Sequence, residues 1–298
     1  MNPTHPFFSI IVASYNRGPL LIETVNSILS QTDVTLEIIV VDDGSTDQTE
    51  QLVSQIKDER IRYFKTKNLE RGAARNMGLR KANGSFVNYF DSDDLYYPCL
   101  SIIREFIVKN NFPPVVYGGI HDLEPDGTVV QQPRLPYATF KENIRYNNFL
   151  ACGSVFVKTE IANACFFSDD RRLSGSEDWE LWLRLYSQYD FKEVPIIVFK
   201  QRKHPSRSLF NTDAGQVTIR ENLFSQLINA NRSVLAKRFS DSEINLLMAD
   251  RMTLIALTQF VAGNRGLAFH YWGRALKLSI QVVKRRRFLA MAKKLMFS

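Results

Sequence analysis

The stretch Phe86-Val87-Asn88-Tyr89-Phe90-Asp91-Ser92-Asp93-Asp94 is an apolar run that opens into an acidic one. Its first five residues read as a buried strand, and the four that follow place three carboxylates at that strand's tip. Carboxylates crowded at one point repel each other unless a cation lies among them. The same construction stands upstream, where Ile38-Ile39-Val40-Val41 runs into Asp42-Asp43-Gly44-Ser45. Two acidic strand ends facing one crevice form a layout suited to a divalent cation and a nucleotide.

Working outward, the unit repeats. Phe7 to Ala13 is a β-branched and aromatic run, and Gly18 to Gln31 then sets Leu20, Leu21, Thr24, Val25, Ile28 and Leu29 at helical spacing. Leu36–Val41 precedes a helix predicted over Thr46–Lys57, Ile61–Phe64 one over Arg71–Ala82, and Phe86–Phe90 one over Pro98–Lys109. Four strand-helix units in succession imply an α/β fold of the Rossmann-like kind, a mostly parallel sheet with helices on both faces. Ligands then bind beyond the carboxyl ends of the strands.

Past residue 112 the rhythm changes. Val115-Val116-Tyr117, Val129-Val130, Ser154–Val157 and Val194–Phe199 read as shorter strands, with one helix over Ser176–Tyr189. From residue 212 the pattern is helical to the end, with Glu243–Val261 and Arg265–Ser279 paired about Gly263-Asn264 as an αα-hairpin. The expected division is 1–211 for the α/β domain, with a ligand-binding half at 1–112 and a second half at 113–211, and 212–298 for a helical extension.

A chain of 298 residues, 45% hydrophobic and 23% charged, has the composition of a globular protein that buries a full core. Cys99, Cys152 and Cys165 form an odd set without C-x-x-C spacing, which argues against a disulfide framework or a zinc site and suits a reducing compartment. The N-terminus lacks the basic region of a signal peptide, and no apolar stretch is read as long enough for a bilayer span. The expected location is therefore cytoplasmic. Net charge is +7, yet residues 251–298 hold ten Lys/Arg and no Asp/Glu, so the basic excess belongs to the C-terminal end.

Particular residues carry the chemistry. Ser14-Tyr15-Asn16-Arg17 follows the first strand, where Tyr15 suits stacking on a planar base and Asp43, after the second strand, suits accepting a ring N–H. Asp-Gly is also an ordinary turn dipeptide. Asp91 and Asp93 flank Ser92 in a D-x-D spacing that turns alternate side chains the same way, and hard oxygen ligands of this kind suit Mg²⁺ or Mn²⁺ bridging a diphosphate. Glu177 and Asp178 open an amphipathic helix, where they serve either as first-turn acids favoured by the helix dipole or, in the case of Asp178, as a general base. Arg71 stands at a helix start and suits a phosphate or the base. Arg202, Lys203 and His204 follow a strand and suit a diphosphate leaving group, with His204 a candidate metal ligand.

Together these pieces resemble family 2 of the inverting glycosyltransferases, which adopt the GT-A fold. The matching segments are Ser9 to Arg17, Ile39 to Asp47, Arg71-Gly72-Ala73-Ala74-Arg75-Asn76, Asp91-Ser92-Asp93-Asp94 and Glu177-Asp178-Trp179. The resemblance implies that Ala13, Tyr15 and Asp43 line a nucleobase pocket contacted by Arg71, that Asp91 holds the ribose side, and that Asp93 binds the metal. Arg17, Ser92 and Arg202 complete the expected donor-binding set, His204 the expected metal set. Asp178 is implied as the catalytic base. The implied reaction moves a sugar from a nucleotide-diphosphate donor, a UDP-sugar, to a hydroxyl of a saccharide or lipid-linked saccharide, with inversion. Donor shape selection is expected around Gly153-Ser154 and Trp179.

Rival readings are a sugar-phosphate nucleotidyltransferase, for which a glycine-rich loop after the first strand is missing, and a non-catalytic nucleotide-sugar-binding or membrane-docking scaffold of the same fold. A dinucleotide-dependent dehydrogenase is excluded by the absence of Gly-x-Gly-x-x-Gly after the first strand. In the tail, Lys284-Arg285-Arg286-Arg287 and Lys293-Lys294 alternate with Phe288, Leu289, Met291, Leu295 and Met296. This pattern suits an anionic membrane surface rather than nucleic acid, and peripheral attachment at the inner face of the cytoplasmic membrane is the expectation. Arg287 interrupts the apolar side of that helical wheel.

Overall fold

The computed structural model describes residues 7–132, 137–203 and 213–296. They fall into two compact units, one drawn from residues 1–140, 149–171 and 189–207, the other from 141–148, 172–188 and 208–298.

The first unit opens with the expected alternation of β1 (Phe8–Ser14), α1 (Gly18–Leu29), β2 (Leu36–Asp42), α2 (Thr49–Ser54), β3 (Ile61–Lys65), α3 (Arg71–Leu79) and β4 (Phe86–Asp91). It continues through β5 (Leu95–Tyr96), α4 (Leu100–Lys109), β6 (Val115–Leu123), β7 (Val129–Gln131), α5 (Phe140–Tyr146, passing into the second unit), β8 (Val155–Lys158), α6 (Thr159–Ala162) and β9 (Phe191–Arg202). The sheet runs β3-β2-β1-β4-β8-β6-β9-β5, with β7 paired to β6. Its first four strands are parallel. Beyond β4 it becomes mixed, because β8 lies antiparallel between β4 and β6. From β1 the chain places β2 and β3 on one side and then returns to lay β4 on the other, a reversal that leaves a crevice at the carboxyl ends of β1 and β4.

Alternation along β1 sends its side chains to two layers. Phe8, Ile10 and Val12 join Ile38, Val40, Phe90, Leu21, Val25, Ile28 and Ile103 in one core, where each fully buried aliphatic side chain contributes about 1.5–3 kcal/mol. On the other face α3 lies close against β1 and β2. A Cβ on Gly78 would fall 2.3 Å from the Ile11 side chain and 3.3 Å from that of Val41, so only glycine permits this approach.

Two elements differ in length from the sequence reading. α2 covers Thr49–Ser54 rather than Thr46–Lys57, because the Asp47 carboxylate turns back to accept the N–H groups of Thr49 at 3.0 Å and Gly18 at 3.2 Å. β9 extends to Phe191 and Arg202, since it pairs with β6 from Val115 to Leu123 across a register irregularity at Tyr117–Ile120.

The second unit is helical: α7 (Glu177–Gln188), α8 (Ala214–Ala230), α9 (Arg232–Leu235), α10 (Asp241–Val261), α11 (Arg265–Leu278) and α12 (Arg286–Met296), with residues 141–146 of α5. α10 and α11 form the expected hairpin, with Gly263 at φ +86° in the turn. A capping box between Ser240 and Glu243 starts α10, and Glu243 also pairs with Arg145 of α5 at 2.7 Å. By length and hydropathy α10 qualifies as a membrane span that the sequence reading passed over, but its span window is 67% buried. It packs against α8, α11 and α12 and holds Asp250 and Arg251, paired at 2.7 Å, which makes it the core helix of this unit.

Candidate functional site

The first unit brings three strand tips side by side. Ser14 at the end of β1 is in register with Asp42 of β2, and Ala13 with Asp91 of β4. The ladder continues one residue further, the Asp43 N–H donating to the Ser14 carbonyl at 2.8 Å. The turns after β1 and β2 are then laced together. Asn16, at φ +51°, accepts the Thr46 N–H on its side-chain oxygen at 2.8 Å, and its own N–H donates to Ser45 Oγ at 2.9 Å. This positive φ is one that asparagine tolerates, and it presents Tyr15 outward with 46% of its surface exposed.

Asp43 is buried at the base of these turns. Its Oδ1 accepts the Thr66 hydroxyl and the Leu69 N–H, both at 2.6 Å, and its Oδ2 accepts the Glu70 N–H at 2.8 Å. A carboxylate has about four acceptor positions, so this set uses three and leaves capacity on Oδ2 for a donor from a ligand. The same bonds hold Glu70 at φ +82° and deliver the chain into α3, whose first residue is the half-buried Arg71. Asp42, by contrast, is spent within the fold. It accepts the Tyr63 hydroxyl and the Ser45 N–H, and burial together with the neighbouring Asp42 carboxylate pushes the Tyr63 phenol far above its ordinary value.

At the tip of β4 the acidic residues take different surroundings. Asp91 leaves 39% of its side chain exposed and accepts from Arg75 Nη2 at 2.7 Å, while Arg75 itself is almost wholly buried with its guanidinium 5.3 Å from the Phe167 ring centre. Ser92 is buried. Asp93 is nearly buried and forms an ion pair with Arg17 of the β1 turn. Asp94 acts within the fold, its Oδ1 accepting the Arg202 N–H at 2.9 Å and its carbonyl accepting the Thr24 hydroxyl at 2.9 Å. The Arg202 side chain reaches Glu23 of α1, Nη2 to Oε2 at 2.5 Å. His204 lies outside the described residues.

Arg75 was quoted in the sequence without a role. Its position four residues after Arg71 on α3 puts the two on one helix face, and that spacing is the signal from which it was recoverable. Asn76 beside it holds the 167–169 segment, donating to the Phe167 carbonyl at 2.9 Å and to Asp169 at 2.6 Å.

Asp178 belongs to the second unit, in the first turn of α7. Glu177 is buried and accepts the Gly175 N–H at 2.6 Å, whereas Asp178 is half-exposed and accepts from Asn148 Nδ2 at 2.7 Å. Trp179 fixes this turn. Its indole N–H donates to the Ile144 carbonyl at 2.6 Å, and the Arg251 guanidinium lies 4.5 Å from the ring centre. Trp179 and Ser154 are both buried, and a Cβ on Gly153 would meet the rings of Phe90 and Phe199.

Among the described residues no three His, Cys, Asp or Glu side chains are grouped to hold a metal by themselves. The donors at the β4 tip fit a different arrangement. Mg²⁺ and Mn²⁺ commonly bind through one or two carboxylates, with waters and phosphate oxygens completing the octahedron, and the hard oxygens of Asp91 and Asp93 are of the type that could supply that share.

Comparison with known proteins agrees with this geometry. The profile of glycosyl transferase family 2 matches residues 9–163. The chain is 34% identical over 187 residues to the Escherichia coli UDP-Glc:alpha-D-GlcNAc-diphosphoundecaprenol beta-1,3-glucosyltransferase WfaP, covering 60% of this chain and 70% of that protein. It spans about 40% of the length of the Rickettsia glycosyltransferases that it also matches. Among solved structures, Staphylococcus aureus TarS 1-349 in complex with UDP-GlcNAc superposes with a TM-score of 0.60 at 18% identity, over 91% of this chain and 90% of that one. The mannosyltransferase PcManGT of Pyrobaculum calidifontis, in complex with GDP-Man and Mn²⁺, gives a TM-score of 0.56 at 18% identity, over 98% and 87%. These likenesses give the fold as GT-A. The profile match across half of the sequence, with acidic strand tips in register beneath it, places this chain in glycosyltransferase family 2.

Proposed function

We propose that this chain transfers a sugar, with inversion, from a UDP-sugar to a hydroxyl of a saccharide or lipid-linked saccharide acceptor. The observation that supports the proposal is the register of the strand tips: Ser14 lies opposite Asp42 and Ala13 opposite Asp91, so Tyr15, Asp43, Asp91 and Asp93 stand at or just beyond the ends of adjoining strands of the first unit. The E. coli relative, which by its name uses UDP-Glc and a diphosphoundecaprenol-linked acceptor, supports the choice of donor and acceptor class.

In the proposed reaction Tyr15 stacks on the uracil, Asp43 accepts its ring N–H, and Asp91 receives the ribose hydroxyls. Arg71 adds positive charge beside the bound nucleotide. Asp93 would hold a divalent ion, Mn²⁺ or Mg²⁺, which when bound would compensate the negative charge that builds on the diphosphate. Asp178 takes the proton of the acceptor hydroxyl as that oxygen bonds to the anomeric carbon. The bond from that carbon to the diphosphate oxygen breaks on the opposite face, and UDP leaves. The acceptor proton becomes acidic only in the transition state, so the base need not have a strongly raised pKa.

A panel of nucleotide sugars incubated with Mn²⁺ or Mg²⁺ and scored for slow hydrolysis tests the proposal without knowledge of the acceptor. Metal-dependent release of UDP from one donor is expected. Release of pyrophosphate from a nucleoside triphosphate and a sugar phosphate, with no hydrolysis of any nucleotide sugar, would instead establish the nucleotidyltransferase reading.

A further inference from the structure

The C-terminal elements sort their cations into two sets. Of the ten Lys and Arg between Arg251 and Ser298, three are buried or half-buried within the second unit. Arg251 and Arg287 both pair with Asp250, at 2.7 and 2.6 Å, and the Arg285 guanidinium lies 3.4 Å from the ring centre of Tyr146. Arg287, the residue that interrupts the apolar wheel of α12, thus shares a buried acceptor with Arg251. The remaining seven, Arg265, Arg274, Lys277, Lys284, Arg286, Lys293 and Lys294, are exposed, with Arg265 and Arg274 lying over the rings of Phe260 and Tyr271, and the sequence places no carboxylate among them.

α12 divides along the same line. Phe288 and Met291 are buried, Phe288 stacking on Trp272 at 4.9 Å between ring centres. Arg286, Leu289 and Lys293, three and four residues apart, share the opposite face. Leu289 is 55% exposed there, and Ile280, in the short turn that leads into α12, is 70% exposed. Phe288 and Met291 are therefore committed to the core, and among the described side chains what the helix offers outward is a cationic face carrying one large aliphatic residue, Leu289.

We propose that this outward face docks on an anionic phospholipid surface, with Lys284, Arg286, Lys293 and Lys294 against the headgroups and Leu289 at the boundary with the acyl chains. Charge complementarity selects the partner. Flexible ammonium and guanidinium groups spread over about three turns without interleaved acids match a diffuse negative surface, and each contributes about fivefold in affinity near such a surface. Binding of this kind is weakened by salt, because the cations act through a screened field.

The test is co-sedimentation of the whole chain with vesicles of phosphatidylcholine containing 30% phosphatidylglycerol, set against pure phosphatidylcholine, at about 100 mM salt. The native chain is expected to bind the anionic vesicles and release them as salt rises. Arg286→Glu with Lys293→Glu and Lys294→Glu should weaken binding at least 100-fold, while the same charge change made at Lys57, Lys109 and Lys192 should leave most of it. Leu289→Asp should weaken it further with thermal unfolding unchanged, which separates lost docking from lost folding. Equal loss from the two charge-reversed triples, equal binding to neutral vesicles, or tighter binding to duplex DNA than to anionic vesicles would overturn the proposal. The readout needs no sugar donor, so its failure leaves the transferase reading standing, and inactivity of the enzyme leaves vesicle binding intact.

Discussion

Arg17 and Asp93 form an ion pair that links the turn after β1 to the turn after β4. The guanidinium sits on the carboxylate proposed for the metal, so a metal bound there would compete with it for one anion. Arg17→Gln is expected to lower the Mn²⁺ concentration for half-maximal UDP binding by about 5–10-fold, the effect of removing one partly buried competing charge. Calorimetric titration of Mn²⁺ in the presence of UDP measures it, and an unchanged midpoint would show that Arg17 does not compete.

Asp43 ties the loop after β3 to the tip of β2 through two backbone N–H groups and a hydroxyl. Asp43→Asn replaces charge-assisted bonds with weaker ones and turns one acceptor into a donor. A stability loss of about 2–3 kcal/mol by urea unfolding is expected, with UDP binding reduced at the same time. Stability lost with nucleotide affinity retained would restrict Asp43 to the loop.

Asp178→Asn is expected to reduce transfer by about 10²- to 10⁴-fold while donor binding stays within a factor of two or so. Asn148 donates to the Asp178 carboxylate at 2.7 Å, and under the proposed role of Asp178 it would be a positioning residue. Asn148→Ala should lower kcat by about tenfold, with the donor KM unchanged, whereas Asn148→Gln should recover part of the loss. Steady-state kinetics with both variants distinguishes this from a general loosening of the fold, which would move the donor KM as well.

Glu37 gives the fold an acid-sensitive element. Burial pushes its carboxyl upward, but hydrogen bonds from Ser9 Oγ at 2.7 Å, the Asn83 N–H at 2.6 Å and Arg62 at 2.7 Å outweigh it and hold the group below the usual carboxylate value. The ionised side chain therefore stabilises the protein above pH ~4.3, and that contribution disappears as pH falls through the lowered folded-state value. Glu37→Gln should cost about 1–3 kcal/mol at pH 7 and progressively less below pH ~4. Urea unfolding at pH 7 and pH 3.5 measures the difference, and an equal cost at both would refute the role of ionisation.

Much of the first unit was legible because its strands are saturated with Ile, Val and Phe and its helices repeat at 3.6 residues. The acidic tips were legible for the same reason, since each closes such a run. Pairings that join residues far apart in sequence were not. Nothing local shows that Arg17 meets Asp93, that Arg75 meets Asp91, or that Arg202 meets Glu23. β5 was missed because two residues carry no period, and the ends of β9 because its exposed positions dilute the apolar run. The place of Arg287 in α12 was opaque for a similar reason: its partner Asp250 is on α10, thirty-seven residues earlier.

The most direct measurement is calorimetric titration of UDP into the native chain and into Asp93→Asn, each with and without Mn²⁺. Nucleotide binding that requires Mn²⁺ in the native chain and is lost in the variant is the predicted result. UDP affinity that is the same with and without the ion, and the same in both proteins, would contradict a metal-assisted donor site at the strand tips.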